Sequence, residues 1–151
     1  MGEFFNGLLV LGGLVLFQVL ARALRTAQVN RWCKKAEEAI AAQDWALAEK
    51  LIDRCLRRIP LWVEGRRSRA ILLARTGRLE EAEAEFKLAA ELRPRDANGY
   101  AQLAFFYAEL GPEKAEQTVE ALRIALQCDP SLIDTLLMEP CFDHVRAQAV
   151  S

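Results

Sequence analysis

RAILLARTGRLEEAEAEFKLAAELRP, residues 69–94, is the stretch on which the fold turns. Apolar residues recur along it every three or four positions, the period of a half-buried α-helix, and Thr76-Gly77-Arg78 interrupts the pattern where one helix must end and another begin. Pro94 closes the second helix. Working outward, Pro60 and Pro130 flank it at intervals of roughly 34–36 residues. Ahead of each proline comes a small residue (Ala48, Ala82, Thr118), then a bulky one (Ile52, Phe86, Leu122), then a small one again (Cys55, Ala89, Ala125). Small residues belong where helices cross closely and bulky ones where a void must be filled, so the pattern predicts helix pairs whose apolar faces are completed by the next pair.

The residues in register resemble the tetratricopeptide repeat. Ala70, Leu73, Gly77, Ala82, Phe86, Ala89 and Pro94 match it in the middle repeat; Tyr100, Leu103, Ala104 and Tyr107 match the first helix of the third; Trp32 and Ala36 match in the first, with Gln43-Asp44-Trp45 at a turn where the family favours Gly-Asp-Tyr. The resemblance implies an all-α fold: three repeats over 28–130 (about 29–60, 61–94 and 97–130) and a capping segment over 131–151. Helices are expected at about 28–42, 45–58, 61–76, 79–92, 97–110 and 113–128, with Ser131 as the N-cap of a terminal helix and Leu132, Leu136, Leu137 and Phe142 covering the last apolar face. Arg66 and Arg69 depart from the family, standing where an aromatic and a leucine are usual; Arg66 is expected to stack on Trp62. The third repeat is longer than the second, with Gly111-Pro112-Glu113-Lys114 as the place of the extra residues. Glu139, Pro140, Phe142, Asp143 and Arg146 resemble the closing segment of bacterial repeat proteins, which suggests a bacterial chain and a complete C-terminus.

The first 27 residues are of another material. From Phe4 to Ala21 no residue is charged, and only Asn6 and Gln18 interrupt the apolar run. As a helix it reaches about 27 Å, close to the hydrocarbon thickness of a bilayer. The reading is a single transmembrane anchor carried by Phe4, Phe5, Leu8, Leu11, Leu14, Phe17 and Leu20, with Arg22 and Arg25 reaching the headgroups. A cleaved secretory signal is the rival, but Met1, Gly2 and Glu3 supply no basic n-region. Arg22, Arg25, Arg31, Lys34 and Lys35 all follow the run, so the positive-inside bias puts the N-terminus outside and the repeats in the cytoplasm, with the bacterial inner membrane as the first choice and an organelle membrane as the other.

Composition narrows the function. The chain has 151 residues and a net charge of −1, without the basic excess of a nucleic-acid-binding domain. His144 is the only histidine, which leaves no triad and no two-histidine metal site. Cys33, Cys55, Cys128 and Cys141 have no metal-ligand spacing and read as small apolar residues, with a redox role as the alternative. The acidic run Glu80–Glu85 reads as a solvated helix face. No enzyme, cofactor, metal or small-molecule substrate is expected.

What remains is a surface. In the family the first helix of each pair lines a groove that captures segments of partner proteins, and the residues at those positions are Asn30, Cys33, Lys34 and Glu37, then Glu64, Arg67, Ser68, Ile71 and Arg75, then Asn98, Ala101, Gln102 and Phe105. The expected groove has Lys34, Arg67, Arg75, Asn98 and Gln102 on its wall and Ile71 and Phe105 on its floor, and suits an acidic or amphipathic segment of a protein partner. Cys33 and Glu37 stand where relatives that bind chaperone C-terminal carboxylates carry Lys and Asn, so that ligand is not expected. The whole is similar to bacterial regulators of envelope lipid synthesis, to photosystem-assembly factors and to mitochondrial import receptors. It implies a membrane-anchored adaptor or assembly factor, or else a permanent subunit of a membrane complex.

Overall fold

The computed structural model describes residues 2–146, with side chains described for 12–136 and 138–146. Among these residues every regular element is helical: α1 Gly2–Ala41, α2 Trp45–Arg58, α3 Val63–Arg75, α4 Leu79–Leu92, α5 Ala97–Leu110, α6 Ala115–Cys128 and a short α7, Ile133–Leu137, with single 3₁₀ turns at Pro112–Lys114, Pro130–Leu132 and Pro140–Phe142. The chain forms two compact units, Met1–Ile59 and Pro60–Ser151.

In the first unit the C-terminal half of α1 pairs with α2. Val29, Cys33, Ala36 and Ala39 are buried on α1, and Ala48, Leu51, Ile52, Cys55 and Leu56 on α2. Cys33 donates to the Cys55 sulfur at 3.2 Å, and Cys55 to the Val29 carbonyl at 3.6 Å, so two thiols meet at the centre of this interface. Burial pushes the Cys55 thiol pKa up, as expected of an apolar packing residue rather than a nucleophile. Arg54 lies over the Trp32 ring at 5.3 Å. The turn reverses at Gln43, which takes φ 59°, and Asp44 then caps α2 by accepting from the Leu47 N–H at 3.1 Å. In the α3–α4 turn the same left-handed conformation falls to Gly77, at φ 80°.

In the second unit α3 packs on α4 and α5 on α6. Ala70, Ala82, Ala104, Ala121 and Ala125 are buried at the crossings, and Leu73, Phe86, Phe106 and Leu122 fill the space between them. Phe86 meets Phe106 at 5.1 Å between ring centroids. Leu136, Phe142 and Val145 close the end of this core, as the capping segment was expected to do; the side chain of Leu137 lies outside the described residues.

The membrane span is not shown, and three other expectations are corrected. Among the described residues no helix is long and apolar enough to cross a membrane. The side chains of Phe4, Phe5, Leu8 and Leu11 lie outside them, and the apolar stretch remaining from Gly12 soon reaches Arg22 and Arg25. Ser131 is not an N-cap; Asp129 is, accepting from the Ser131 N–H at 3.0 Å, because the segment opens with a 3₁₀ turn at Pro130. Arg66 does not spend its guanidinium on Trp62. Nε donates to the Pro60 carbonyl at 3.0 Å and Nη1 to both Glu85 oxygens at 2.9 and 3.0 Å, since a charge-assisted pair outweighs a cation–π contact. The acidic run is only half solvated: Glu80 and Glu81 are exposed, whereas Glu83 and Glu85 are partly buried and tied to other helices.

Two stability changes follow. Phe86→Ala, emptying the contact with Phe106, should cost roughly 3–5 kcal/mol in urea unfolding; a loss under about 1 kcal/mol would place the core elsewhere. Gln43→Gly should instead stabilise, by up to about 1 kcal/mol in the same measurement, because glycine adopts the left-handed turn without a Cβ clash.

Candidate protein-interaction site

Two hollows of the second unit lie between its helices. The smaller, about 190 Å³, lies between α3, α4 and α5 and is lined by Ile71, Ala74, Arg75, Phe86, Gln102, Phe105, Phe106 and Glu109. Four of the seven groove residues expected from sequence, Ile71, Arg75, Gln102 and Phe105, therefore share one cavity. Its floor is aromatic and aliphatic; Arg75 and Glu109 are both exposed and bring opposite charges to it. The Gln102 Oε1 atom is buried without a hydrogen-bond partner. An unsatisfied acceptor of this kind costs about 1–3 kcal/mol, which an incoming N–H or O–H donor would recover.

The other three lie elsewhere. Arg67 is engaged: its guanidinium pairs with Asp96, whose other oxygen accepts from the Asn98 N–H at 3.1 Å and so caps α5. A methyl at Gly99 would stand 3.4 Å from both Arg67 Nη2 and Ala90 Cα, in van der Waals contact with each. Asn98 is exposed at the start of α5, and Lys34 is exposed on α1 in the first unit. Cys33, Ser68 and Ala101, also read as groove-facing, are buried; Ser68 donates to the Glu64 carbonyl at 3.0 Å. Glu109 was expected beside the groove, where its charge offsets the basic wall, whereas Phe106 and Ala74 were not anticipated. Phe106 is one helical turn from Gln102, and that spacing was the available signal.

The larger hollow, about 830 Å³, is open and runs between α4, α5 and α6 along Tyr100, Leu103, Tyr107, Val119 and Ile124. A charge cluster borders it. Tyr107 donates to Glu83 Oε1 at 3.0 Å, Lys87 pairs with the same oxygen at 2.7 Å, and Lys114 reaches Glu83 Oε2 at 3.4 Å while lying over the Tyr107 ring. Lys87, then Tyr107 and Lys114, hold the Glu83 carboxyl below its usual pKa, and Glu83 in turn raises that of Lys87. Burial and the same carboxylate push the Tyr107 hydroxyl up.

The fold is shared with solved structures. An O-GlcNAc transferase of Thermobaculum terrenum aligns over 78% of the chain with a TM-score of 0.64 at 21% identity, and the chain spans 22% of that protein. The TPR2B domain of yeast Sti1, solved as a complex with pHsp70, aligns over 81% of the chain and 95% of its own length, with a TM-score of 0.63 and 21% identity. MamA RS-1 aligns over 81% of the chain and 71% of its own length, at 0.59 and 20%. At these identities the likeness shows the fold, which is tetratricopeptide-like. No family model matches the sequence, and no curated protein matches it.

The Glu83 cluster gives a pH dependence. Its folded-state pKa lies below that of the unfolded chain, so on acidification the unfolded chain takes up the proton first. The contribution is complete above about pH 5 and drains away as the pH falls through the unfolded and then the folded value. Glu83→Gln should flatten the fall in thermal stability between pH 5 and pH 3 relative to the parent; an unchanged slope would mean that other carboxylates carry it.

Proposed function

We propose that the chain is a membrane-anchored adaptor, with its helical repeats on the cytoplasmic side, that recruits or assembles protein partners rather than catalysing a reaction. The observation that carries the anchor is exposure. Leu14, Val15, Leu16, Phe17, Val19, Leu20 and Leu24 are all large and apolar, and all are more than half exposed, Leu16 and Phe17 reaching 69%. They point in every direction around α1, so no single partner face accounts for them. A surrounding apolar medium does. Arg22 and Arg25 follow directly, where headgroups would lie. The bacterial inner membrane fits the one-sided basic flank, and an organelle membrane facing the cytosol is the other setting.

The partner-binding part rests on the small cavity of the second unit. Its apolar floor, its buried Gln102 acceptor and the flanking Arg75 and Glu109 suit an amphipathic protein segment that inserts one large apolar side chain and offers a donor to Gln102. Arg67 and Asn98 extend the expected surface within the second unit, and Lys34 is a separate expected contact in the first. A permanent-subunit reading is favoured by one feature: Gly12 and Gly13 are adjacent, and a Cβ added at either meets nothing within 4 Å, so another membrane helix could pack closely there.

Three measurements on native membranes test this. The full chain should resist carbonate extraction, whereas a variant lacking residues 1–27 should be released. A reporter fused after Ser151 should be active on the cytoplasmic side only. Arg75→Glu with Phe105→Ala should lose the co-purifying proteins that the parent retains. Outward reporter activity would overturn the topology, and an unchanged set of co-purifying proteins would overturn the groove. Recovery within a high-mass particle in mild detergent, insensitive to the groove variants, would favour the permanent subunit.

A further inference from the structure

We propose that the cleft between α1 and α2 binds the phosphate of an anionic lipid headgroup. The inference rests on the anchored reading of α1. The cleft, about 560 Å³, is lined by Ala21, Leu24, Arg25, Gln28 and Arg58. Arg25 and Arg58 are far apart in the sequence, and the hairpin of α1 and α2 brings them to one hollow. Among the described residues neither guanidinium forms an ion pair. Arg25 donates through Nε to the Ala21 carbonyl at 3.3 Å, which orients the group and leaves both Nη atoms available. Each guanidinium offers a planar fork of N–H donors suited to phosphate oxygens. The Gln28 side chain adds an amide donor.

The position selects a lipid. Leu20 is the last large apolar side chain before the first arginine, and Arg25 follows about 7.5 Å further along the helix, the depth at which headgroups begin. Leu24, 65% exposed, lines the same cleft and would lie against the upper part of an acyl chain. A free phosphate would use the two arginines but has no use for Leu24. Arg57 and Arg58 occupy the last turn of α2, where the helix dipole favours cations in any protein. The dipole does not explain why Arg25 meets Arg58 from the other helix. The headgroup would thereby hold α2, and not α1 alone, against the membrane surface.

The test uses the full chain reconstituted in phosphatidylcholine vesicles carrying traces of spin-labelled phosphatidylglycerol or spin-labelled phosphatidylcholine. The motionally restricted lipid fraction should favour phosphatidylglycerol several-fold, by up to roughly fivefold for each arginine. Arg25→Gln with Arg58→Gln should bring the preference close to one. Lys34→Gln with Lys35→Gln, which removes equal charge outside the cleft, should leave it in place. No preference in the parent, or an equal loss in both double variants, overturns the site, the second result being diffuse surface attraction. Collapse of the preference on adding inorganic phosphate at matched ionic strength overturns the lipid in favour of the free anion. A carbonate wash separates the two readings: a chain retained in the vesicles without lipid preference has an anchor and no headgroup site, whereas a chain washed out has neither.

Discussion

The close approach of helices at alanine is the constraint on which the rest of this structure depends. Ala70, Ala82, Ala104, Ala121 and Ala125 are at most 5% exposed, and each lets a neighbouring helix come near enough for a larger side chain beside it to be enclosed. Phe86, Phe106 and Leu122 then fill the space that the alanines leave. Replacing any of these alanines by a bulkier residue would drive the pair apart and loosen every contact that the aromatic rings make. The small cavity between α3 and α5 is a product of the same geometry. Phe86, rising from α4 beneath it, seals the bottom, and the two flanking helices leave a slot above.

Polar ties between helices replace apolar contacts at the places where the sequence departs from its family. Arg66 and Arg69 stand at positions that usually carry apolar side chains, and both reach Glu85 on α4, Arg66 at 2.9 Å and Arg69 at 3.6 Å. Tyr107 keeps its ring in the core and its hydroxyl on Glu83. Such partly desolvated pairs fix one relative placement of two helices, since a rotation that separates them strands a charge. The carboxylates Glu83 and Glu85 therefore belong to the joints between helices, although their spacing on α4 reads as a water-facing stripe.

Helix ends were legible because they carry punctuation: α2, α4 and α5 run over the residues expected of them, each stopped by a proline or glycine at or just beyond its end. The fold class followed from the recurrence of small and bulky residues ahead of Pro60, Pro94 and Pro130. The residues of the candidate cavity were legible in part. Ile71 and Arg75 on α3, and Gln102 and Phe105 on α5, follow helical spacing, and that is sufficient to place them on one side of their helices. Nothing in periodicity reveals that Arg67 is already held by Asp96, or that Ser68 turns its hydroxyl onto its own backbone. Pairings between distant residues, such as Arg66 with Glu85 or Arg25 beside Arg58, depend on how side chains extend after the helices have docked. A one-dimensional pattern holds no record of that. Ser131 was misread for a related reason: a serine ahead of an apolar run resembles a cap, but Pro130 imposes a tighter turn that hands the role to Asp129.

Helix α1 is unbroken from Gly2 to Ala41, with no proline within it. Its exposed apolar half and its packed half therefore form one stiff shaft. Each residue advances a helix by about 1.5 Å and turns it by about 100°. Whatever grips the Gly12–Leu20 stretch thus dictates the compass bearing of the Val29–Ala39 face, and with it the heading of α2. A single residue inserted between Arg25 and Val29 would swing that heading by more than a quarter turn while leaving every local contact in the hairpin intact. The length of this shaft is a phase setting, and it transmits torque as readily as position.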